Sequence, residues 1–235
     1  MIKANLVYKT VLYILNKEQR GYLTPAEFNS VANQVQLEIF EKYFEDLNQQ
    51  LRSPQNDSEY ANRVKSLRER IQIFEKFSEL TTGTQAGSLK VQAGDVHRVG
   101  TLELQIDNLP SREVQLVTRK EFSDLQRSKL TKSDSKLLYY YRIQDDFFVF
   151  PSISSSESNF VLYYVRKPKA PKWEYSTGSQ GQYTYTGGVD FELSSVEQTE
   201  VILKILSYSG IIIRDPQIIQ NAAQMAAAED ANEKS

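Results

Sequence analysis

The sequence predicts an α+β protein in which a helical bundle built from N- and C-terminal helices carries an inserted antiparallel β domain. Three observations lead there. Apolar residues recur at spacings of three and four up to about Leu80. From Leu89 to about Glu192 short β-branched and aromatic runs alternate with Gly, Asn, Asp, Ser and Pro clusters. Helical periodicity then returns. The expected divisions are bundle helices over 1–83, a β-rich insert over 84–192, a closing bundle helix over 193–214 and a docking tail over 215–235.

"NLVYKTVLYIL" is apolar nearly all round, which predicts a helix buried on more than one side. The next stretch, "NKEQRGYLTPAEF", has two readings. As a calcium loop starting at Asn16 it offers Glu18 and Glu27 as carboxylates, but Arg20 stands where a ligand oxygen is needed. As a junction between helices every residue has a role: Gly21 ends one helix, Thr24 caps the next and Pro25 takes its first position. Glu27 then completes a capping box, with Leu23 and Phe28 as the hydrophobic staple. The second reading is preferred.

A long helix follows from Pro25 to about Leu51, with Phe28, Val31, Val35 and Ile39 on one stripe, widened by residues from Phe40 to Leu51. After "SPQND" a third helix begins near Asp57, its apolar positions running to Ile71 and Phe74, and "TTGTQAG" closes the helical part. Seven strand-like runs then follow, from "TLELQID" to "QYTYTG", interrupted by a short helix over roughly Lys120 to Leu130. Gln144-Asp145-Asp146 and "TGSQG" are expected hairpin tips. Ser194 and Glu197 have the spacing of a capping box, and Gly210 is expected to stop the helix they open.

The 235 residues are 40% hydrophobic and 25% charged, with 28 Lys+Arg against 30 Asp+Glu, which argues against a strongly basic nucleic-acid binder. Cysteine is absent, so disulfides and thiolate metal sites are excluded. No apolar run is long enough to span a bilayer and no signal peptide is evident, so a soluble, non-secreted product is expected. The single histidine, His97, lies in the polar stretch "AGDVHRVG" and is expected in a solvated turn. Phosphate-binding and dinucleotide fingerprints are missing, and Asp145-Asp146 reads as a turn, so no enzyme activity and no cofactor are expected. The 14 tyrosines, including "YYY" at 139–141, suit a sheet core and protein interfaces, or a platform for stacking sugars or bases. "VRKPKAPKW" gathers Arg166, Lys167, Lys169 and Lys172 around two prolines. It reads as a solvated connector between strands, or as a contact for phosphate or an acidic partner.

The order of these features carries a resemblance. "RKEFSDLQRSKL", "YYYRIQDDFFVFPS" and "NFVLYYVRKPKAPKW" together resemble a pattern in structural proteins of tailed bacteriophages. The segment from "TVLYIL" to "LNQQLR" is similar to the start of virion proteins of phages that include crAss-like podophages. "FELSSVEQTEVILKILSYSGIIIRDPQIIQNAAQ" is similar to the closing helix and tail of head–tail connector, or adaptor, proteins. The resemblance implies a ring-forming subunit, commonly twelve to a ring, that joins portal to tail. The implied location is the virion neck or tail, after synthesis in the bacterial cytoplasm. Packaged DNA would pass through the channel without sequence-specific binding, and no membrane is implied. The alternative from the residues is a carbohydrate- or receptor-binding tail module using the Tyr-rich strands. Interface candidates are Ile218, Ile219, Ala222 and Met225 in the Ala-rich tail, expected to dock on the portal or a neighbouring ring protein, with the four cations of the basic stretch.

Overall fold

The computed structural model describes residues 1–17, 22–52, 58–83, 88–91, 94–106, 110–131, 137–150 and 158–213, with 224, 225 and 227. It divides into two compact units, one comprising Met1–Ile73 with Pro168–Ser235 and the other Phe74–Lys167.

The first unit contains α1 (Ala4–Lys17), α2 (Pro25–Arg52), α3 (Ser58–Gln72) and α5 (Gln198–Ile213), with strands β8 (Lys172–Thr177) and β9 (Tyr183–Val189). In α1 the stripe Ala4, Val7, Tyr8, Val11 and Leu15 is buried, whereas Leu6 and Tyr13 on the opposite face, and Ile14 at the stripe's flank, are exposed. The expectation of burial on several sides is therefore met on one side only. Asp190 accepts from the Ala4 N–H at 2.9 Å, placing a carboxylate at a helix start whose own first turn has no acid. Ile2 and Phe191 exchange backbone hydrogen bonds at 3.3 and 3.0 Å, so the first residues are tied to the segment after β9.

The α2 start is a capping box. The Glu27 N–H donates to Thr24 Oγ1 at 3.3 Å, and the Thr24 N–H and hydroxyl both donate to the Glu27 carboxylate, at 2.8 and 2.6 Å. Those two bonds, the hydroxyl first, hold the Glu27 carboxyl below the usual glutamate range. Leu23 and Phe28 are fully buried beside it. Glu18, Arg20 and Gly21, the other half of the calcium reading, lie outside the described residues. Along α2 the buried stripe runs from Phe28 to Phe44 and fades before Leu51, which is exposed.

α2 packs against α3 and α5. At that junction Glu197, in the 3-10 turn Ser195–Glu197, accepts a short hydrogen bond from the Tyr43 hydroxyl. Arg70 Nη1 of α3 lies 3.0 Å from its other oxygen, near enough for charge pairing though outside hydrogen-bond alignment. Lys42 and Glu200 pair beside them at 3.3 Å. The Ser194 hydroxyl makes no capping bond, in contrast to the expected box. α5 also runs through Gly210 to Ile213 instead of stopping there. Gly210 is buried, and packing overrides its roughly 1 kcal/mol propensity cost.

The second unit corrects the predicted fold class. Its strands close into a seven-stranded barrel in the order β1-β2-β6-β5-β4-β3-β7. They are β1 (Glu75–Thr82), β2 (Leu89–Val91), β3 (Val96–Ile106), β4 (Arg112–Leu116), β5 (Tyr139–Ile143), β6 (Asp146–Phe150) and β7 (Ser158–Arg166). A helical bundle with an inserted antiparallel β domain does not describe this molecule. The barrel is a core of its own, β4 and β5 pair in parallel, and the last two strands form a hairpin in the unit that holds the helices. The β-rich stretch expected over 84–192 is thus shared between the two units. β1 falls where helix was expected, because Phe74 continues the helical spacing of α3 while pairing with β7 and β2 decides the backbone.

The parallel pair needs a crossover, and α4 (Arg119–Arg127) lies between its strands in sequence, opened by a Thr118–Glu121 capping box. Its Phe122 packs on Tyr141 and Phe150, at 5.5 and 4.4 Å between ring centroids. Neighbouring Tyr140 points the other way into the barrel core with Leu102, Leu104, Phe147 and Leu162, so the tyrosine run divides between two faces. The buried side chains Val91, Leu102, Leu104, Val114, Phe147 and Leu162 cluster as the barrel's core. β3 bends to close it through two register shifts, the second spanning Gly100. A Cβ there would lie 2.8 Å from the Tyr163 carbonyl oxygen, so only glycine fits. Gln144 and Asp145 make the β5–β6 turn, with Gln144 at φ 55°. His97 is a half-buried residue of β3, not part of a turn.

Burial pushes the Glu197 carboxyl up from its ordinary range, against the Tyr43 hydrogen bond and Arg70. A raised carboxyl favours the fold fully below the unfolded glutamate value and loses that contribution as pH rises through the folded value. Glu197→Gln keeps an acceptor for Tyr43 and removes the titration. The variant's urea midpoint is therefore expected to improve relative to wild type as pH rises from the acid side of the glutamate range to neutrality. A difference that stays constant or moves the other way contradicts this assignment.

Candidate interaction surface

Within the first unit, α2 supplies the partners that hold the β8–β9 hairpin. Gln36 lies inside the apolar stripe of α2 and is fully buried. Its Nε2 donates to the Lys169 carbonyl at 2.7 Å and its Oε1 accepts from the Glu192 N–H at 3.0 Å. The Glu192 carboxylate in turn accepts from the Lys169 N–H at 2.9 Å, which closes a three-membered cycle of hydrogen bonds. The segments leading into β8 and out of β9 are thereby clamped together across one amide. Among the described residues Lys169 and Glu192 have no strand neighbour, so the side chains satisfy backbone groups that a sheet would otherwise pair.

Two helical turns earlier on α2, Asn29 grips β8 itself. Its amide accepts from the Trp173 N–H at 2.7 Å and donates to the Trp173 carbonyl at 3.1 Å, as a neighbouring strand would. Trp173 Nε1 donates to Asn5 of α1 at 3.1 Å, and its ring lies 4.5 Å from that of Tyr8. The Tyr8 hydroxyl donates to the Leu23 carbonyl at 3.0 Å, and burial pushes its ionisation well above the ordinary tyrosine range.

Beyond this anchored base the hairpin turns aromatic and exposed. Trp173 stacks with Tyr175 at 5.8 Å and approaches Tyr185 at 5.6 Å, while Tyr175 meets Tyr183 edge-on at 5.1 Å. The three tyrosines are each about two-fifths exposed, at 38, 38 and 41% for Tyr175, Tyr183 and Tyr185. A shallow depression of about 300 Å³ beside them is lined by Asn29, Lys172, Trp173, Glu174, Tyr175 and Thr186. At Gly188 a Cβ would come within 1.9 Å of the Lys172 carbonyl oxygen, so the hairpin's close crossing needs glycine there.

The four cations of the basic stretch do not share one environment. Arg166 is buried, its guanidinium 5.7 Å from the centre of the Phe74 ring and its Nη1 donating to the Lys167 carbonyl at 3.2 Å. Lys167 is exposed and its N–H donates to the Asp95 carbonyl at 2.9 Å. Lys169 contributes its backbone to the Gln36 cycle, and Lys172 pairs with Glu174 at 3.1 Å. Arg166 and Lys167 belong to the barrel unit, Lys169 and Lys172 to the other. Of the tail candidates, Met225 is a helical residue with 60% exposure, and Ile218, Ile219 and Ala222 lie outside the described residues. Asn5, Asn29 and Gln36 were not singled out by sequence. For Gln36 the signal was present: a polar residue one helical turn from both Ala32 and Phe40, inside a stripe that is otherwise apolar.

Among the described residues no group of three His, Asp or Glu side chains could hold a metal ion, and no helix is long and apolar enough to cross a membrane. Gln36→Leu would leave the Lys169 carbonyl and the Glu192 N–H without their partner. At about 1–3 kcal/mol for each buried group, a loss of roughly 2–4 kcal/mol is expected in urea unfolding followed by Trp173 emission. A loss below about 0.5 kcal/mol would contradict the clamp. No protein-family model matches this chain, and no curated protein matches it either.

Proposed function

We propose that this chain is a structural subunit of a tailed-phage virion, a head–tail connector or adaptor whose copies form a ring joining portal to tail around the DNA channel. The observation that carries the reading is apolar surface left uncovered on regular elements. α1 offers a second stripe of Leu6, Tyr13 and Ile14, exposed at 49, 74 and 39%. Phe77 and Tyr163 form an exposed aromatic pair on the barrel wall, their centroids 6.1 Å apart. Single exposed apolar residues are ordinary, but aligned ones on a rigid helix or strand are what repeated subunit contacts bury. The resemblance of the quoted segments to connector and virion proteins supplies the particular assembly.

The role is mechanical and assigns no catalytic step to any side chain. Its partners are further copies of the chain, the portal protein and neighbouring tail proteins, with the Ala-rich tail over 215–235 as the portal-docking element. The near-neutral balance of 28 basic against 30 acidic residues suits a channel that lets DNA pass without gripping it. A second reading, a carbohydrate- or receptor-binding tail module, draws on the exposed tyrosines of the hairpin and on the depression beside them.

Native mass spectrometry of the purified protein, with imaging of the source virion, separates these readings. A closed ring, commonly of twelve copies, located at the neck or tail is the expected result. Monomers in solution together with retention on a polysaccharide resin and no symmetric neighbours in the virion would overturn the connector reading.

A further inference from the structure

The β8–β9 sheet has two strands among the described residues, so each has one edge without a strand neighbour. The pairing shows which backbone groups lie there. The Gly178 N–H donates to the Gln182 carbonyl at 2.9 Å, making that pair the hydrogen-bonded end of the ladder. Alternation then turns the N–H and C=O groups of Tyr175 and Thr177 to the outer edge of β8. Those of Tyr183 and Tyr185 turn to the outer edge of β9. At the base of β8 the edge is protected, because the Asn29 amide occupies both backbone groups of Trp173.

Farther out, beyond the register shift between Glu174 and Tyr175, protection by charge or proline is missing. Exposed edges are ordinarily blunted by lysine, proline or other charged residues. From Tyr175 to Val189 the sequence has no charged residue and no proline, in a chain that is 25% charged. The two charges at the hairpin base, Lys172 and Glu174, neutralise each other. β9 instead alternates Tyr-Thr-Tyr-Thr, with a high preference for extended pairing.

We propose that these edges are covered by a second copy of this chain, the outer edge of β9 in one copy pairing with the outer edge of β8 in the next. The occupant follows from the chemistry of the two edges. A strand suited to either must be uncharged and rich in Thr, Ser and Tyr, and each hairpin supplies one such strand on each side. Tyr and Thr side chains then meet Tyr, Ser and Thr across the new ladder, and no charge of either sign is left inside it. Because the two edges differ, the contact is head-to-tail, the kind that builds a ring when the rotation closes. The inference names the contact surface of the ring proposed above and rests on that reading.

The test follows mass and backbone protection in the same samples over a concentration series. Native mass spectrometry reads assembly, and hydrogen exchange reads the amides of Tyr175, Thr177, Tyr183 and Tyr185. Tyr183→Lys and Thr184→Lys are studied separately, with circular dichroism and the emission of Trp173, the single tryptophan, as controls of folding. Assembly and protection of these amides are expected to appear together, and both to be lost in each correctly folded variant. If one variant misfolds, the other decides, and if both do, wild-type exchange decides. Assembly without protection, or assembly that survives either folded variant, overturns the hairpin contact and leaves the ring standing. A wild-type chain that stays monomeric throughout, with these amides unprotected, overturns both.

Discussion

The hydrogen-bonded cycle of Gln36, Lys169 and Glu192 is the constraint on which the helical unit's arrangement depends. Lys169 and Glu192 lie just outside the paired residues of the hairpin, where among the described residues no strand neighbour takes up their backbone groups. A buried N–H or C=O left unmade costs more than the hydrogen bond would have contributed. The Gln36 amide answers one group of each kind, and the Glu192 carboxylate answers the Lys169 N–H. Around this point Ile2 joins Phe191 and Asp190 caps α1, so the start of the chain is bound to the segment leaving the hairpin.

The same device, a side-chain amide standing in for a strand, positions the hairpin. Asn29 pairs with Trp173 at the base of β8, and Trp173 is packed between Tyr8 below and Tyr175 and Tyr185 above. Anchoring therefore decreases outward, from a tryptophan held by two backbone hydrogen bonds and one from its indole to tyrosines open to solvent. An aromatic surface held at one end by buried groups suffers little ordering cost on meeting a partner, which is what a repeated structural contact requires.

Local chemistry was legible in the sequence; long-range pairing was not. Thr24-Pro25-Ala26-Glu27 announced the start of α2 because every bond of a capping box lies within four residues. Asp145 fell at a turn for the same reason, and Asp146 differs from it in being buried, where it accepts from Ser88 at 3.0 Å. β1 was hidden because Phe74 extends the helical spacing of α3, while its strand state depends on β7, far along the chain. Nothing near Gln115 or Tyr139 announces that their strands run parallel. Gly210 carried a true local preference that burial in α5 outweighs, and the basic stretch hid a division, since Arg166 turns inward over Phe74 while Lys172 faces out. The hairpin surface was legible as a tyrosine-rich sequence, but its anchoring needed Asn5, Asn29 and Gln36, each distant from Trp173 or Glu192 in sequence.

Native-state hydrogen exchange in increasing urea tests most directly whether α2 holds the hairpin crossing. The amides of Lys169, Trp173 and Glu192, each bonded to a side chain, are predicted to open with the free energy and urea dependence of the α2 core amides around Val35 and Ile39. Opening of these three amides at a much lower free energy, with α2 still protected, would show that the crossing is held by something other than the helix and would contradict the account.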